Sequence, residues 1–311
     1  MLGMAPGVEY PCRIGSRTGR SVAFINENNC IKSLNRNVAA GRVLCQKNAQ
    51  AWSDSQDIFG SLSDVPGTVI DVHVGEHTMP VFTVDCDHVM ETYIKAGMDD
   101  RDPYWTCIWP SSQALAAAVL GQGGDLVRGK RVADFGAGLG LAGVAAALSG
   151  ADEVVFLDRE PLALDCCLVN ACLHGCLPSS SDACRIARSV LEQETLDRKI
   201  ESKLDAELFD WNDDVRGSHL HGFDVILVCD CLYEKFSVEP IARVLPLLLK
   251  EKGGAILLAD PPNRAKANRD KFLGLMACSG LKISEERMMT TLENHQGGTR
   301  EVQIVFMILS R

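Results

Sequence analysis

Short apolar runs and longer helical patterns alternate through the last two-thirds of the chain. RVADF (131–135), EVVFLD (153–158), FDVILVC (223–229) and AILLAD (255–260) are apolar with little alternation, as strands buried on both faces must be. AELFDW (206–211) reads as a further strand of the same set. Between them, residues 113–120, the Ala-rich run after Gly140, and residues 161–176, 238–250 and 269–279 predict helices. Pro161 suits a first helical turn and Gly175 a stop. Pro110 imposes an extended approach, and Ser111 or Ser112 is expected to cap the helix that follows. The chain closes on two more strands near 281–289 and 301–309. Such alternation predicts an α/β fold: a doubly wound, mostly parallel seven-stranded Rossmann-like sheet with an antiparallel C-terminal strand.

Ahead of this region the pattern changes. VIDVHV (69–74) and VFTVD (81–85) alternate with period two and predict a hairpin. Residues 51–100 are therefore expected to form a small β-rich extension, and 101–311 the main domain. Residues 1–50 show no period. Residues 177–204 are polar, with SSSD at 179–182, and read as an exposed excursion.

Composition sharpens this outline. The net charge is −10, but residues 1–50 hold seven Lys/Arg and two acids, leaving a body of −15. The basic, acid-poor start resembles an organelle transit peptide with a processing site after Cys45; a disordered tail is the other reading. The destination is then plastid or mitochondrion, otherwise cytoplasm. An acidic body argues against a nucleic-acid partner, and no apolar run suits a membrane span. The 13 cysteines, an odd and scattered set, predict free thiols. Cys166, Cys167, Cys172, Cys176 and Cys184 lack the paired spacing of a zinc site and read as core residues, so no metal is expected.

The chemistry concentrates after the first strand of the main domain. Asp134 precedes three glycines at alternate positions, Gly136, Gly138 and Gly140. A strand, a glycine turn and a helix hold a nucleotide-like ligand at the helix N-terminus. The dinucleotide register Gly138, Gly140, Gly143 starts too far past the strand end. The register from Gly136 gives D-x-G-x-G-x-G, followed by Asp158 at the end of the next strand, where it can reach a ribose. In an open sheet of this kind the ligand lies at the C-terminal strand ends, which carry Asp134, Asp158, Asp210 and Asp230.

The D-x-G-x-G-x-G run resembles the first motif of the seven-β-strand methyltransferases. From about Asp102 onward, DPYW…WPSSQALA, LVRGKRVADFGAGLG, ALSGADEVVFLD and LADPPNR resemble the protein-lysine branch of that family. Within that branch the likeness is to the electron-transfer flavoprotein β-subunit lysine methyltransferase group, with bacterial ribosomal-protein methyltransferases as cousins. The resemblance implies S-adenosyl-L-methionine as cofactor and a monomeric enzyme acting on a protein substrate that bears a lysine. Its second motif, D-x-x-Y, is present as Asp230–Tyr233 and implies the catalytic pair. Asp230 would hold the arriving ammonium or order the methionine end of the cofactor, and Tyr233 would orient the amine. Trp109 would cover the methionine moiety, with Trp105 a weaker candidate, and Asp210 with Trp211 would lie against the adenine. A small-molecule methyltransferase on this fold and a non-catalytic cofactor-binding module are the competing readings.

Overall fold

The computed structural model of the chain describes residues 58–59, 62–98, 100–121, 124–176, 200, 202–295 and 298–311. The expectations for residues 1–50 and for most of 177–204 lie outside these residues. The main sheet has seven strands: β3 (Arg131–Phe135), β4 (Glu153–Asp158), β5 (Lys203–Leu208), β6 (Val225–Cys229), β7 (Ala255–Asp260), β8 (Lys282–His295) and β9 (Gly298–Ser310). Their order is β5-β4-β3-β6-β7-β9-β8. The first five are parallel; β9 runs antiparallel to both β7 and β8. β3 pairs with β4 on one side and with β6 on the other, so the strand order reverses there. Such a reversal opens a crevice at the strand ends.

Both sheet faces are covered, which explains the unbroken apolar runs. Val132, Val154, Phe156, Leu227 and Leu257 point to one face, under α2 (Pro110–Leu120), α3 (Leu141–Leu148) and α4 (Pro161–Leu173). Ala133, Phe135, Val155, Leu157, Ile226 and Leu258 point to the other, under α5 (Val238–Leu248) and α6 (Lys266–Cys278). No helix among the described residues is long and apolar enough to cross a membrane.

Three local expectations need correction. Pro110 occupies the first helical turn of α2 and Trp109 is its N-cap, so Ser111 and Ser112 already lie inside the helix. Their hydroxyls instead donate to Asp230 Oδ2 (3.3 Å) and to Trp109 O (2.8 Å). β5 starts and ends earlier than 206–211, because its pairing stops at Leu208, opposite the last residue of β4, Asp158. The closing strands run longer than 281–289 and 301–309, because their polar positions sit on an exposed two-stranded arm that still pairs.

The hairpin ahead of the main sheet consists of β1 (Gly67–Val74) and β2 (His77–Val84). Val72, Val74, Met79, Val81 and Val84 are buried in the same core as α2 and α4. Helix α1 (Cys86–Ala96) follows, with Asp85 as N-cap, its carboxylate accepting the His88 N–H at 2.7 Å. Asn170, buried on α4, ties the hairpin to the glycine turn. Its Oδ1 accepts the Phe82 N–H (2.6 Å), and its Nδ2 donates to Phe82 O (3.0 Å) and Leu139 O (2.9 Å). Gln113 of α2 donates to His73 O and Leu292 O, bridging the hairpin and β8.

Three backbone groups depend on Asn170. Asn170→Ala leaves them buried without partners and is expected to lower stability by about 2–5 kcal/mol. Urea unfolding measures this; a loss under about 1 kcal/mol would mean that water replaces the amide.

Candidate active site

The turn after β3 is bound from several sides. The Gly136 and Ala137 N–H groups donate to Leu157 O at 2.8 and 3.2 Å. The Gly138 N–H donates to Asp158 Oδ2 at 2.9 Å, and Cys167 Sγ to Gly138 O at 3.2 Å. Gly136, Gly138 and Gly140 have φ of 66°, 54° and 75°, the left-handed region. Gly136 is required for a second reason: a Cβ there would sit 2.8 Å from Cys231 Sγ. Gly143, outside the register from Gly136, serves close helix–strand packing. A Cβ would meet the Phe156 ring at 2.4 Å, and its N–H donates to Asp134 Oδ2 at 2.8 Å.

The four strand-end acids therefore do different things. Asp134 lies within β3, its side chain on the face covered by α3. It is buried, holds the start of α3 through Gly143, and does not line the cleft. Its Oδ1 has no hydrogen-bond partner among the described residues. Asp158 lines the cleft and accepts the N–H of both Gly138 and Glu160, the latter at 3.0 Å. Asp210 lies beyond the end of β5. Its Oδ1 accepts both the backbone N–H and the side-chain amide of Asn212 (each 2.8 Å), and this local turn takes it out of the cleft lining. Gly140 also stays out of the lining, under Cys167 of α4.

Asp230 enters the cleft at the end of β6 with φ 54°, a conformation tolerated by Asp better than by most residues. That backbone angle excludes a helical start, and residues 230–237 form turns before α5. The Asp230 N–H donates to Ala259 O at 3.1 Å. Its carboxylate pairs with Arg264 and accepts the Ser111 hydroxyl. Arg264 lies with its guanidinium carbon 5.1 Å from the centre of the Trp109 ring. The turn carrying Arg264 is itself clamped: Arg269 donates to Asp260, Pro261 O and Pro262 O at 2.5, 2.6 and 2.7 Å.

Aromatic side chains wall the cleft. Tyr104 stands edge-to-face with both Trp109 (6.1 Å) and Tyr233 (6.2 Å). Trp109 donates to Tyr104 O at 3.0 Å. Phe135, Phe209 and Trp211 make the wall on the β5 side, with Phe135–Trp211 centroids 6.2 Å apart. Trp105 lines the cleft but is buried, its indole N–H donating to Tyr93 Oη at 3.2 Å. Tyr93 in turn donates to Glu160 Oε2 (2.8 Å), whose Oε1 takes Arg101 (2.8 Å) and Arg159 (3.3 Å). Sequence reasoning missed Tyr104, Glu160 and Arg264. DPYW signalled the first and FLDRE the second, whereas no local pattern singled out Arg264.

Eight cysteines among the described residues are free, and Cys86 is in a disulfide, so the all-thiol expectation fails at that residue on the first turn of α1. Cys107, Cys229 and Cys231 line the cleft, and burial pushes all three thiols above their ordinary value.

Burial also pushes the carboxyls of Asp134 and Asp158 up, to about 7 and about 6, against the backbone N–H bonds that favour the charged forms. The unfolded chain releases these protons near pH ~4. From there up to the folded values, the native state holds protons that the unfolded chain has lost. Their contribution is therefore fully present below pH ~4 and declines as the pH rises towards ~7. Asp134→Asn retains an oxygen for the Gly143 N–H and cannot ionise. Without added ligand it is expected to melt above the unsubstituted protein at pH ~8 and to lose that advantage at pH ~4. An equal difference at both pH values would count against ionisation as the cause.

Residues 179–278 match the family model described as lysine methyltransferase. Over 160 residues the chain is 34% identical to the electron transfer flavoprotein beta subunit lysine methyltransferase of Xenopus laevis, covering 51% of this chain and 53% of that one. The zebrafish protein of the same name is 29% identical over 160 residues, 51% of this chain and 50% of its own. The calmodulin-lysine N-methyltransferase of Arabidopsis thaliana is 30% identical over 168 residues, 54% and 48%. The chain thus spans about half the length of these curated relatives. By these matches part of the chain is similar to lysine methyltransferases.

Proposed function

We propose that the chain is an S-adenosyl-L-methionine-dependent protein-lysine N-methyltransferase. The observation that carries this reading is the lining of the cleft where the strand order reverses. It holds four carboxylates (Asp102, Asp158, Glu160, Asp230), one guanidinium (Arg159) and walls of aromatic rings. A pyrophosphate would need the opposite charge balance. A ligand with a flat base, a ribose and a cationic end fits carboxylates and rings, and the side-chain-free turn at Gly136 gives its backbone room to approach.

When bound, S-adenosylmethionine supplies a methyl group on a cationic sulfur, with a thioether that leaves without a proton. We assign Asp158 to the ribose, Phe209 and Trp211 to the base, and the Asp230–Arg264 pair under Trp109 to the charged methionine end. The rest of the work concerns the amine. A lysine ammonium has a pKa near ~10.4 and carries no lone pair until it loses a proton. Tyr104, Trp109 and Tyr233 would desolvate an amine in part, which favours its neutral form. Burial and the nearby Asp102 carboxylate push the Tyr233 phenol upward, so it stays protonated and offers its oxygen lone pairs to an amine N–H. Catalysis on this reading is chiefly positioning.

The test is incubation with methyl-labelled S-adenosylmethionine and recombinant electron transfer flavoprotein β-subunit or calmodulin, the substrates named for the relatives, alongside a fractionated cell extract. Label on lysine, located by mass spectrometry, is expected; label only on small molecules would overturn the protein-substrate assignment. Asp230→Ala is expected to abolish turnover, Tyr233→Phe to retain part of it, and Tyr233→Ala little. The losses should fall on kcat with the melting temperature held. A lowered melting temperature with normal turnover in the folded fraction would reject both residues as catalytic.

A further inference from the structure

We infer that Asp102 is the carboxylate that receives the substrate's ammonium, and that the packed Tyr104 and Tyr233 rings form the wall along which the lysine side chain runs. This inference rests on the methyltransferase reading and adds a recognition residue to it.

Of the four carboxylates in the lining, Glu160 and Asp230 are ion-paired, and Asp158, assigned above to the ribose, accepts two backbone N–H groups. Glu160 is held by Arg101, Arg159 and the Tyr93 hydroxyl. Asp230 is paired with Arg264 and accepts from Ser111. Asp102 accepts only the Tyr104 N–H, at 3.1 Å, and has no ion pair within 4.0 Å among the described residues. Arg159 attracts it from farther away, but that side chain is committed to Glu160 (3.3 Å) and to Asp100 O (3.1 Å).

Its surroundings suit an alkylammonium in particular. Asp102 is partly buried, and desolvation raises its carboxyl above the usual range, so an arriving cation would relieve an existing penalty. Glu160 and Glu234 add negative potential on the same side. The Tyr104 and Tyr233 rings, edge-to-face at 6.2 Å, offer apolar surface for a methylene chain and ring faces for a cation. Tyr233 is 37% exposed, so this wall reaches solvent, whereas Asp230 is 8% exposed and lies deeper. Asp102, only partly buried, lies nearer solvent than Asp230 and meets an incoming side chain first.

The test scores amine binding apart from methyl transfer. Tryptophan fluorescence is titrated with n-butylammonium chloride at constant ionic strength, in the presence of S-adenosylhomocysteine. Asp102→Asn keeps an oxygen for the Tyr104 N–H, so the fold and the S-adenosylhomocysteine affinity are expected to hold. The amine dissociation constant is expected to rise about tenfold. Asp71→Asn, an exposed carboxylate on β1 outside the cleft lining, is the charge control and should change it by less than about twofold. The inference fails if the unsubstituted protein gives no saturable response, if Asp102→Asn binds the amine unchanged, or if Asp71→Asn loses it equally. Amine binding lost in Asp102→Asn, in a protein that methylates no protein substrate, would sink the methyltransferase reading and support the Asp102 site.

Discussion

The turn after β3 exposes its backbone to the cleft, and that is possible only because neighbouring elements satisfy its polar groups from below. β4 supplies Leu157 O and the Asp158 carboxylate, and α4 supplies Asn170 and Cys167. Without them a run of glycines would lose backbone entropy on ordering with nothing to offset it. The same contacts fix the floor. Cys231 fills the space that a side chain at Gly136 would take, and it is held there by the turn that also presents Asp230. Cleft and strand order are one arrangement, since β3 can be flanked by β4 and β6 only where the order reverses.

Around that floor, the cleft is assembled from segments distant in sequence. Tyr104 and Trp109 come from the approach to α2, Tyr233 follows β6, and Arg264 follows β7. The Arg101–Glu160–Tyr93–Trp105 chain draws α1 into the same wall. Buried polar chains of this kind hold their members firmly only when each has its partner. The segment ahead of the main sheet is therefore part of the wall as well as a cover for the core.

Much of this was legible in the chain itself. The two-sided burial of β3, β4, β6 and β7 leaves unbroken apolar runs, and a glycine turn between acids is a local signal. Asp158, Asp230 and Tyr233, all in the cleft lining, stand out in the sequence because each lies at a strand end or within a few residues of one. What local pattern could not show was pairing across the fold. Asp134 and Asp158 look alike in sequence, yet strand alternation sends the first under α3 and leaves the second at the cleft. Asp210 looked equivalent to both until its own Asn212 captured it. Arg264 is made relevant by the adjacency of β6 and β7, and Glu160 by contacts with residues 59 and 67 positions earlier.

The three thiols in the cleft lining bear on fidelity. The thiolate is the reactive form of cysteine, and burial holds Cys107, Cys229 and Cys231 in the neutral form. A cleft proposed to hold an alkylating sulfonium would otherwise offer it sulfur nucleophiles of its own, closer than any substrate. Cys231 fills the floor beneath Gly136, and with all three thiols held protonated none would compete for the methyl group of the proposed cofactor. On the proposed function, the burial that packs the cleft floor would also keep the protein from methylating itself.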